Sequence, residues 1–319
     1  MTPITLVSVI ITTYNRADKL KDAIESLLAQ TYKNIQIIVA DDGSTDETKE
    51  LVAQYPQVSY YYKENGGQAS GRNLGFMHAK GNLIATLDSD DVWYPSFLEK
   101  CVEKLESDNF DFVFANWDQD EKGGESWNFL LKDPYLAPYN ENAEDGWVTL
   151  NAKALRKVYL QACPSPSSSL VFKKSLITSQ WREDLHIGDD WYMFLKIVLS
   201  QPSKAAYTLE RLWNKRVDEI NLYDGRKWSE ILERLYVADL EIFIQDFEQL
   251  ISEKEKAILE RKHIEGLVEL AKHKFVRERK FVNGYCLLRK SFLLNKRFTF
   301  SAIPRIFFKA FQRKILSKT

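Results

Sequence analysis

Apolar positions change period along the chain. LVSVIIT (6–12), IQIIVAD (35–41), VSYYYKE (58–64), NLIATLD (82–88) and FDFVFAN (110–116) are short runs rich in β-branched and aromatic residues, which predicts strands. Between them, ADKLKDAIESLLAQ (17–30) repeats apolar residues at helical spacing, with Leu20, Ile24, Leu27 and Leu28 on one face. STDETKELVAQY (44–55) predicts a second helix, with Ser44 as N-cap and Glu47 three residues on completing a capping box. QASGRNLGFMHAKG (68–81) predicts a third, ended by Gly81. PSFLEKCVEKLES (95–107) predicts a fourth, with Pro95 near its start. This alternation implies right-handed crossovers and a mainly parallel, Rossmann-like sheet flanked by helices, an α/β fold. Such sheets bind ligands beyond the carboxyl ends of their strands. Thr12, Asp41, Asp42 and Asp88 to Asp91 each follow a strand and so share one rim.

The pattern loosens afterwards. Residues 117–165 are rich in Asn, Asp, Glu, Trp and Pro and read as loops with short elements. SSSLVFKKS (167–175) predicts another strand, and a helix follows from Asp190 to about Leu199. From Lys227 helical periodicity dominates, as in EILERLYVADLEIFIQDFEQL (230–250). We therefore expect a domain over 1–225 and a helical C-terminal region over 226–319. HKFVRERKFVNGYCLLRKSFLLNKR (273–297) has the helix-turn-helix rhythm of a single tetratricopeptide-like unit.

Composition adds two constraints. At 45% hydrophobic and 28% charged, the chain of 319 residues is an ordinary globular one. Cys101, Cys163 and Cys286 are odd in number and far apart, which argues against a disulfide framework and fits a reducing compartment. The N-terminal apolar stretch lacks a basic leader and is not read as a signal peptide. No apolar run approaches the ~20 residues that span a bilayer. The formal net charge of −1 hides an asymmetry: Leu270 to Thr319 hold 14 Lys and Arg against one acid, Glu278, so this stretch carries +13 and the remainder −14. KRFTFSAIPRIFFKAFQRKILSKT (296–319) interleaves cations with Phe and Ile, a pattern suited to an anionic membrane surface. No nucleic-acid-binding motif accompanies it. The expected location is cytoplasmic, peripheral on the inner face of the membrane.

Candidate chemistry centres on ATLDSDDVWYP (85–95), where Asp88, Asp90 and Asp91 follow a strand. Hard divalent cations take oxygen ligands, and Mg2+ typically takes one or two carboxylates plus phosphate oxygens. VSVIITTYNR (7–16), VADDGSTDET (39–48), NGGQASGRNLG (65–75) and LDSDD (87–91) together resemble, in order and spacing, the non-processive family 2 glycosyltransferases of GT-A fold. The resemblance covers about residues 5 to 115 and continues weakly to about 200.

That resemblance implies a nucleotide-binding half over 1–115 and an acceptor-binding half over 116–225. It implies that Thr12 and Tyr14 hold the nucleobase, that Asp42 accepts the uracil N3–H, and that Arg72 and Asn73 lie near base and sugar-phosphate. Asp88 then lies near ribose and metal, Asp90 is the foremost ligand of Mn2+ or Mg2+, and Asp91 an alternative one. HIGDDWYMFLK (186–196) resembles the family's stretch that carries the general base. Asp190 is favoured and Asp189 remains the alternative. The implied reaction is an inverting, single-displacement transfer from a nucleotide-sugar, a UDP-sugar first, to a hydroxyl of a glycan or lipid-linked acceptor in cell-surface polysaccharide synthesis. Trp117, Trp127, Trp147 and Trp191 are candidates for stacking on acceptor sugars. His78, His186, His263 and His273 have no metal-ligand spacing. Two other classes compete: a nucleotidyltransferase, which would carry a glycine-rich loop where this chain has TTYNRADKL, and a non-catalytic sugar-nucleotide-binding scaffold.

Overall fold

The computed structural model describes residues 4–119, 128–216 and 226–316, with side chains of the last helix as far as Ile306. The chain forms two compact units, one of Met1–Asp184 with Asp189–Val217, the other of Leu185–Gly188 with Asp218–Thr319.

The first unit is built on one sheet. Its opening strands are β1 (Val7–Thr13), β2 (Ile35–Asp41), β3 (Val58–Tyr62) and β4 (Leu83–Asp88), separated by α1 (Ala17–Leu28), α2 (Thr48–Val52) and α3 (Gln68–His78). β3, β2, β1 and β4 lie side by side and are all parallel. Helix α1 buries Leu20, Ala23, Ile24 and Leu27, with Leu20, Ile24 and Leu27 each contributing about 1.5–3 kcal/mol by leaving water.

Then come β5 (Val92–Trp93), α4 (Phe97–Ser107), β6 (Phe112–Gln119), α5 (Phe129–Lys132), β7 (Ala143–Glu144), β8 (Trp147–Leu150), α6 (Ala152–Tyr159), β9 (Leu170–Lys173), α7 (Asp189–Ser200) and β10 (Ala205–Lys215). β9 inserts antiparallel between β4 and β6, β10 runs parallel beside β6, and β8 and β7 complete the far edge antiparallel. The sheet is thus parallel in its first half and mixed in its second. Because β9 is reversed, the 3-10 turn that leads into it, Ser167–Ser169, reaches the rim where β1 and β4 end.

Two local expectations change. Ser44 does not cap α2. Its Oγ accepts the backbone N–H of Asn15 instead (2.9 Å), while Asp46 takes the N–H of Thr48 (3.2 Å) and of Ala17 (3.0 Å). The third helix ends at His78, before Gly81, whose N–H is drawn to Ser8 Oγ (2.8 Å).

The second unit is helical. Trp228–Asp246 is a continuous helical segment of α8 (Trp228–Ile231), a wide π turn (Leu232–Asp239) and α9 (Leu240–Asp246). It is followed by α10 (Glu253–Val276), α11 (Phe281–Leu294) and α12 (Lys296–Leu316). Ser252 and Glu255 form a reciprocal capping box on α10. Ile264, Val268, Ala302 and Ile306 make a small core, with Leu288, Phe298 and Ile303 against it. The expected boundary near 225 and Trp127 lie outside the described residues.

Candidate functional site

Sheet register assembles the rim. Thr12 pairs with Asp88 across β1 and β4, and Thr13 with Asp41 across β1 and β2. Asp42, one residue beyond β2, donates its N–H to Thr13 O (2.9 Å) and is buried. Its carboxylate accepts the N–H groups of Gly66 (3.0 Å) and Gly67 (2.7 Å), with Lys63 Nζ at 3.3 Å. The turn entering α3 thereby fixes the direction of that carboxylate. Neighbouring Asp41 accepts Tyr60 OH (2.6 Å) and the Ser44 N–H (2.8 Å), so it braces the rim from below. A Cβ on Gly71 would lie 2.4 Å from Thr12 Cγ2, so α3 can approach β1 this closely only with glycine there. Tyr14 stands exposed past the end of β1.

Arg72 ties the two halves of the first unit's chemistry together. It is 1% exposed, and its guanidinium reaches three carboxylates: Asp88 Oδ1 (3.2 Å), Asp190 Oδ1 (2.9 Å) and Asp189 Oδ2. Burial alone pulls its pKa down, but Asp189, Asp190 and Asp88 together raise it, so it is a permanent cation. Asp189 and Asp190 open α7 but differ in setting. The Asp189 side chain is buried against Arg72, whereas that of Asp190 keeps 23% exposure. Asp190 accepts Ser167 Oγ at 2.9 Å on each oxygen. Burial, opposed by Arg72 and reinforced by Asp189 and Asp88, lifts the Asp190 pKa to about 7. A carboxylate of that basicity, partly open to solvent, can take a proton from an attacking hydroxyl near neutral pH.

The aspartate cluster divides by direction. Asp88 is the most open, at 32%, and accepts Gln68 Nε2 (2.9 Å) besides Arg72. Asp90 pairs with Arg16. Asp91 turns inward, accepting Ser168 Oγ (2.6 Å) and the Arg216 N–H (3.2 Å). Burial, then Asp88, raises the Asp90 pKa in spite of Arg16. Burial, then Asp90 and Asp88, raises that of Asp91 well above the carboxylate range. Repulsion from neighbouring carboxylates thus adds to burial in disfavouring the ionised forms of Asp90 and Asp91, and a divalent cation would relieve that repulsion. Hard oxygen donors crowded on a ligand rim fit Mg2+ or Mn2+ completed by phosphate oxygens. Among the described residues no closed set of three or more His, Cys, Asp or Glu forms an all-protein metal cage. Asp91, expected as an alternative ligand, is engaged by Ser168 and by the backbone at Arg216.

Other expected residues sit deeper than their motifs suggest. Asn73 is buried and its amide is committed: Nδ2 donates to Trp181 O (2.9 Å) and Glu183 Oε1 (2.8 Å), and Oδ1 accepts the Trp181 N–H (2.7 Å). It holds the segment leading toward α7. Trp117 stacks on Phe129 with centroids 4.8 Å apart, and Trp191 donates Nε1 to Tyr159 O (2.6 Å), so both are core anchors. Trp147 is half-buried in β8.

Sequence reasoning assigned no role to Arg16 and Gln68, although both lie within quoted motifs, nor to Ser167 and Ser168, which belong to no motif. It also missed Asp239. Within the second unit the buried Asp239 carboxylate accepts the backbone N–H groups of His186 (3.0 Å), Ile187 (2.9 Å) and Gly188 (2.9 Å), with His186 Nδ1 at 2.9 Å. Gly188 allows this closeness: a Cβ there would meet Leu235 Cδ1 at 2.9 Å and Phe243 Cζ at 3.2 Å. The next residue in the chain is Asp189.

The family model described as glycosyl transferase family 2 matches residues 8–159. An uncharacterized glycosyltransferase of Rickettsia prowazekii (strain Madrid E) is 31% identical over 242 residues, 72% of this chain and 72% of that protein. This chain belongs to glycosyl transferase family 2. As a member of that family it is an enzyme of the glycosyltransferase class, which sets aside the nucleotidyltransferase reading. Among solved structures, S. aureus TarS in complex with UDP-GlcNAc superposes with a TM-score of 0.64 at 16% identity, covering 92% of this chain and 82% of that one. The mannosyltransferase PcManGT of Pyrobaculum calidifontis, in complex with GDP-Man and Mn2+, gives 0.57 at 18% identity, covering 91% and 76%. These likenesses show the GT-A fold with its helical C-terminal region.

Proposed function

We propose that this glycosyltransferase is inverting and metal-dependent, and that it transfers a sugar from a UDP-sugar to a hydroxyl of a glycan or lipid-linked acceptor in cell-surface polysaccharide synthesis. In this reading Thr12, Tyr14 and Asp42 hold the uracil, and the Asp42 carboxylate, aimed by Gly66 and Gly67, accepts N3–H. Asp88 and Asp90 hold Mn2+ or Mg2+, which when bound neutralises the departing diphosphate as a Lewis acid. Arg72 keeps Asp88 and Asp190 in one constellation, and Asn73 supports it by fixing Trp181 and Glu183.

Asp190 is the general base and Asp189 its buried companion. The observation that carries this is the partly exposed Asp190 carboxylate with its pKa near 7, held by Ser167 and Arg72 beside Asp88. The acceptor hydroxyl loses its proton to Asp190 as it attacks the anomeric carbon, and the diphosphate leaves from the opposite face. The division of labour places the transferase machinery in 1–225 and a basic helical region, directed to the inner face of the membrane, in 226–319. A screen of nucleotide-sugars by mass spectrometry with Mn2+ tests the donor class. Turnover of a UDP-sugar supports the reading, and turnover confined to a GDP- or CDP-sugar overturns the role given to Asp42.

A further inference from the structure

Helix α11 is turned inside out relative to an ordinary surface helix. At 100° per residue, Phe281, Val282, Tyr285, Arg289 and Leu293 share one face. That face points outward: Val282 is 75% exposed, Leu293 73% and Tyr285 65%. The opposite face, with Gly284 and Ser291, is the buried one. Four large apolar side chains on one exposed helix face is a pattern that soluble surfaces avoid unless something covers it.

The charge around the face says what does. From Arg277 to Arg297 the sequence carries seven cations against one acid, Glu278. Glu278 is itself held by Lys274 and Lys280. Arg277, Arg279 and Lys280 stand at the start of α11, Arg289 lies within the face, and Lys296 and Arg297 follow its end. A second copy of this chain would bring the same positive surface against itself, which costs Coulomb energy in an isologous contact. An anionic bilayer offers both things the face lacks, headgroup phosphates for the cations and an acyl boundary for Phe281, Val282, Tyr285 and Leu293. No helix among the described residues is long and apolar enough to cross a membrane, so the contact is one that lies on the surface.

We propose that the outward face of α11 is a docking surface for anionic phospholipid, with Val282, Tyr285 and Leu293 inserted and Arg277, Arg279 and Arg289 at headgroup level. This rests on the membrane direction given above to the C-terminal region, and it moves the contact from the tail at 296–319 to a folded helix. Binding does not depend on the transferase chemistry, so it stands or fails separately from the assignment of donor and base.

The test is sedimentation of the full chain with phosphatidylglycerol–phosphatidylcholine vesicles and with phosphatidylcholine alone, at low and high salt. The wild type is expected to partition onto the anionic vesicles, in a salt-sensitive way, and not onto phosphatidylcholine. V282D with L293D is expected to lower that partition at least about tenfold, since each side chain loses its apolar burial and adds a repelled charge. Both substitutions fall at exposed positions, and an unchanged thermal midpoint checks that the fold is kept. R277E with R279E is expected to weaken binding and flatten its salt dependence. Three outcomes overturn the proposal: no vesicle binding by the wild type, undiminished binding by V282D with L293D, or a wild-type dimer in solution that V282D with L293D dissociates.

Discussion

Arg72 Nη1 lies 2.9 Å from Asp190 Oδ1, so a residue of α3 and a residue of α7, 118 positions apart in the sequence, meet in one ion pair. The same buried guanidinium reaches Asp88 and Asp189. Removing it leaves three carboxylates without their shared counter-charge. Arg72→Met is expected to destabilise the protein by about 3–5 kcal/mol, the cost of breaking a buried ion pair by deleting one partner. Arg72→Lys keeps one charge but not the fork, and is expected to recover part of the stability and little of the turnover. Chemical denaturation alongside steady-state kinetics checks both.

The raised pKa of Asp190 fixes the direction of the pH response. Its carboxyl must be ionised to accept a proton, so kcat/KM is expected to fall as pH drops through about 7. For stability the sign is opposite. The folded state binds the proton between the ordinary aspartate range and about 7 while the unfolded chain does not, so this group's contribution to stability declines as pH rises through that window. Ser167→Ala removes a hydrogen bond that favours the charged form. It is expected to move the acidic limb of the rate profile to higher pH, which a pH–rate series on the two enzymes reads directly.

Asp90→Ala is expected to reduce metal-dependent turnover by about 10²-fold or more, a loss of several kcal/mol of charge stabilisation, with the fold intact. Asp91→Ala should behave differently. It takes away the acceptor of the buried Ser168 hydroxyl, whose oxygen still accepts the Asp88 N–H, and an acceptor of the partly buried Arg216 N–H, so its larger effect is on thermal stability. Titration of Mn2+ against activity, with melting curves, separates the two.

Asp239→Asn tests a residue that no motif announces. It weakens the charged acceptor for three consecutive backbone N–H groups at 186–188, expected to cost about 1–3 kcal/mol of stability. Because Asp189 and Asp190 follow that strap directly, kcat is expected to fall while UDP affinity is kept. Calorimetry with UDP and initial-rate kinetics supply the two readings.

The legible part of this molecule is the part where local pattern and global role coincide. β1, β2 and β4 are β-branched runs ending in Thr or Asp, so both strand and rim residue could be read together. β10 (Ala205–Lys215) escaped because Thr208, Glu210 and Arg211 interrupt its apolar positions just where its pairing with β6 slips register. β9 was visible as a strand but not as an antiparallel one, and only that reversal brings Ser167 and Ser168 to the rim. The segment 230–250 shows helical periodicity in its sequence, but that periodicity does not reveal that its middle widens to a π turn ending on Asp239. Asn73 had the right neighbourhood but faces inward, since its amide is spent on Trp181 and Glu183. Pairings across the fold leave no trace in spacing, which is why Arg16 beside Asp90 and Arg72 beside Asp190 are visible only in the folded chain.

The most direct test of the account is Asp190→Asn, compared with wild type for UDP binding with Mn2+ and for sugar transfer. The account predicts unchanged UDP affinity and transfer lowered by about 10²–10⁴-fold, the scale of a lost general base. Transfer at the wild-type rate would contradict it and move the base to Asp189 or another residue.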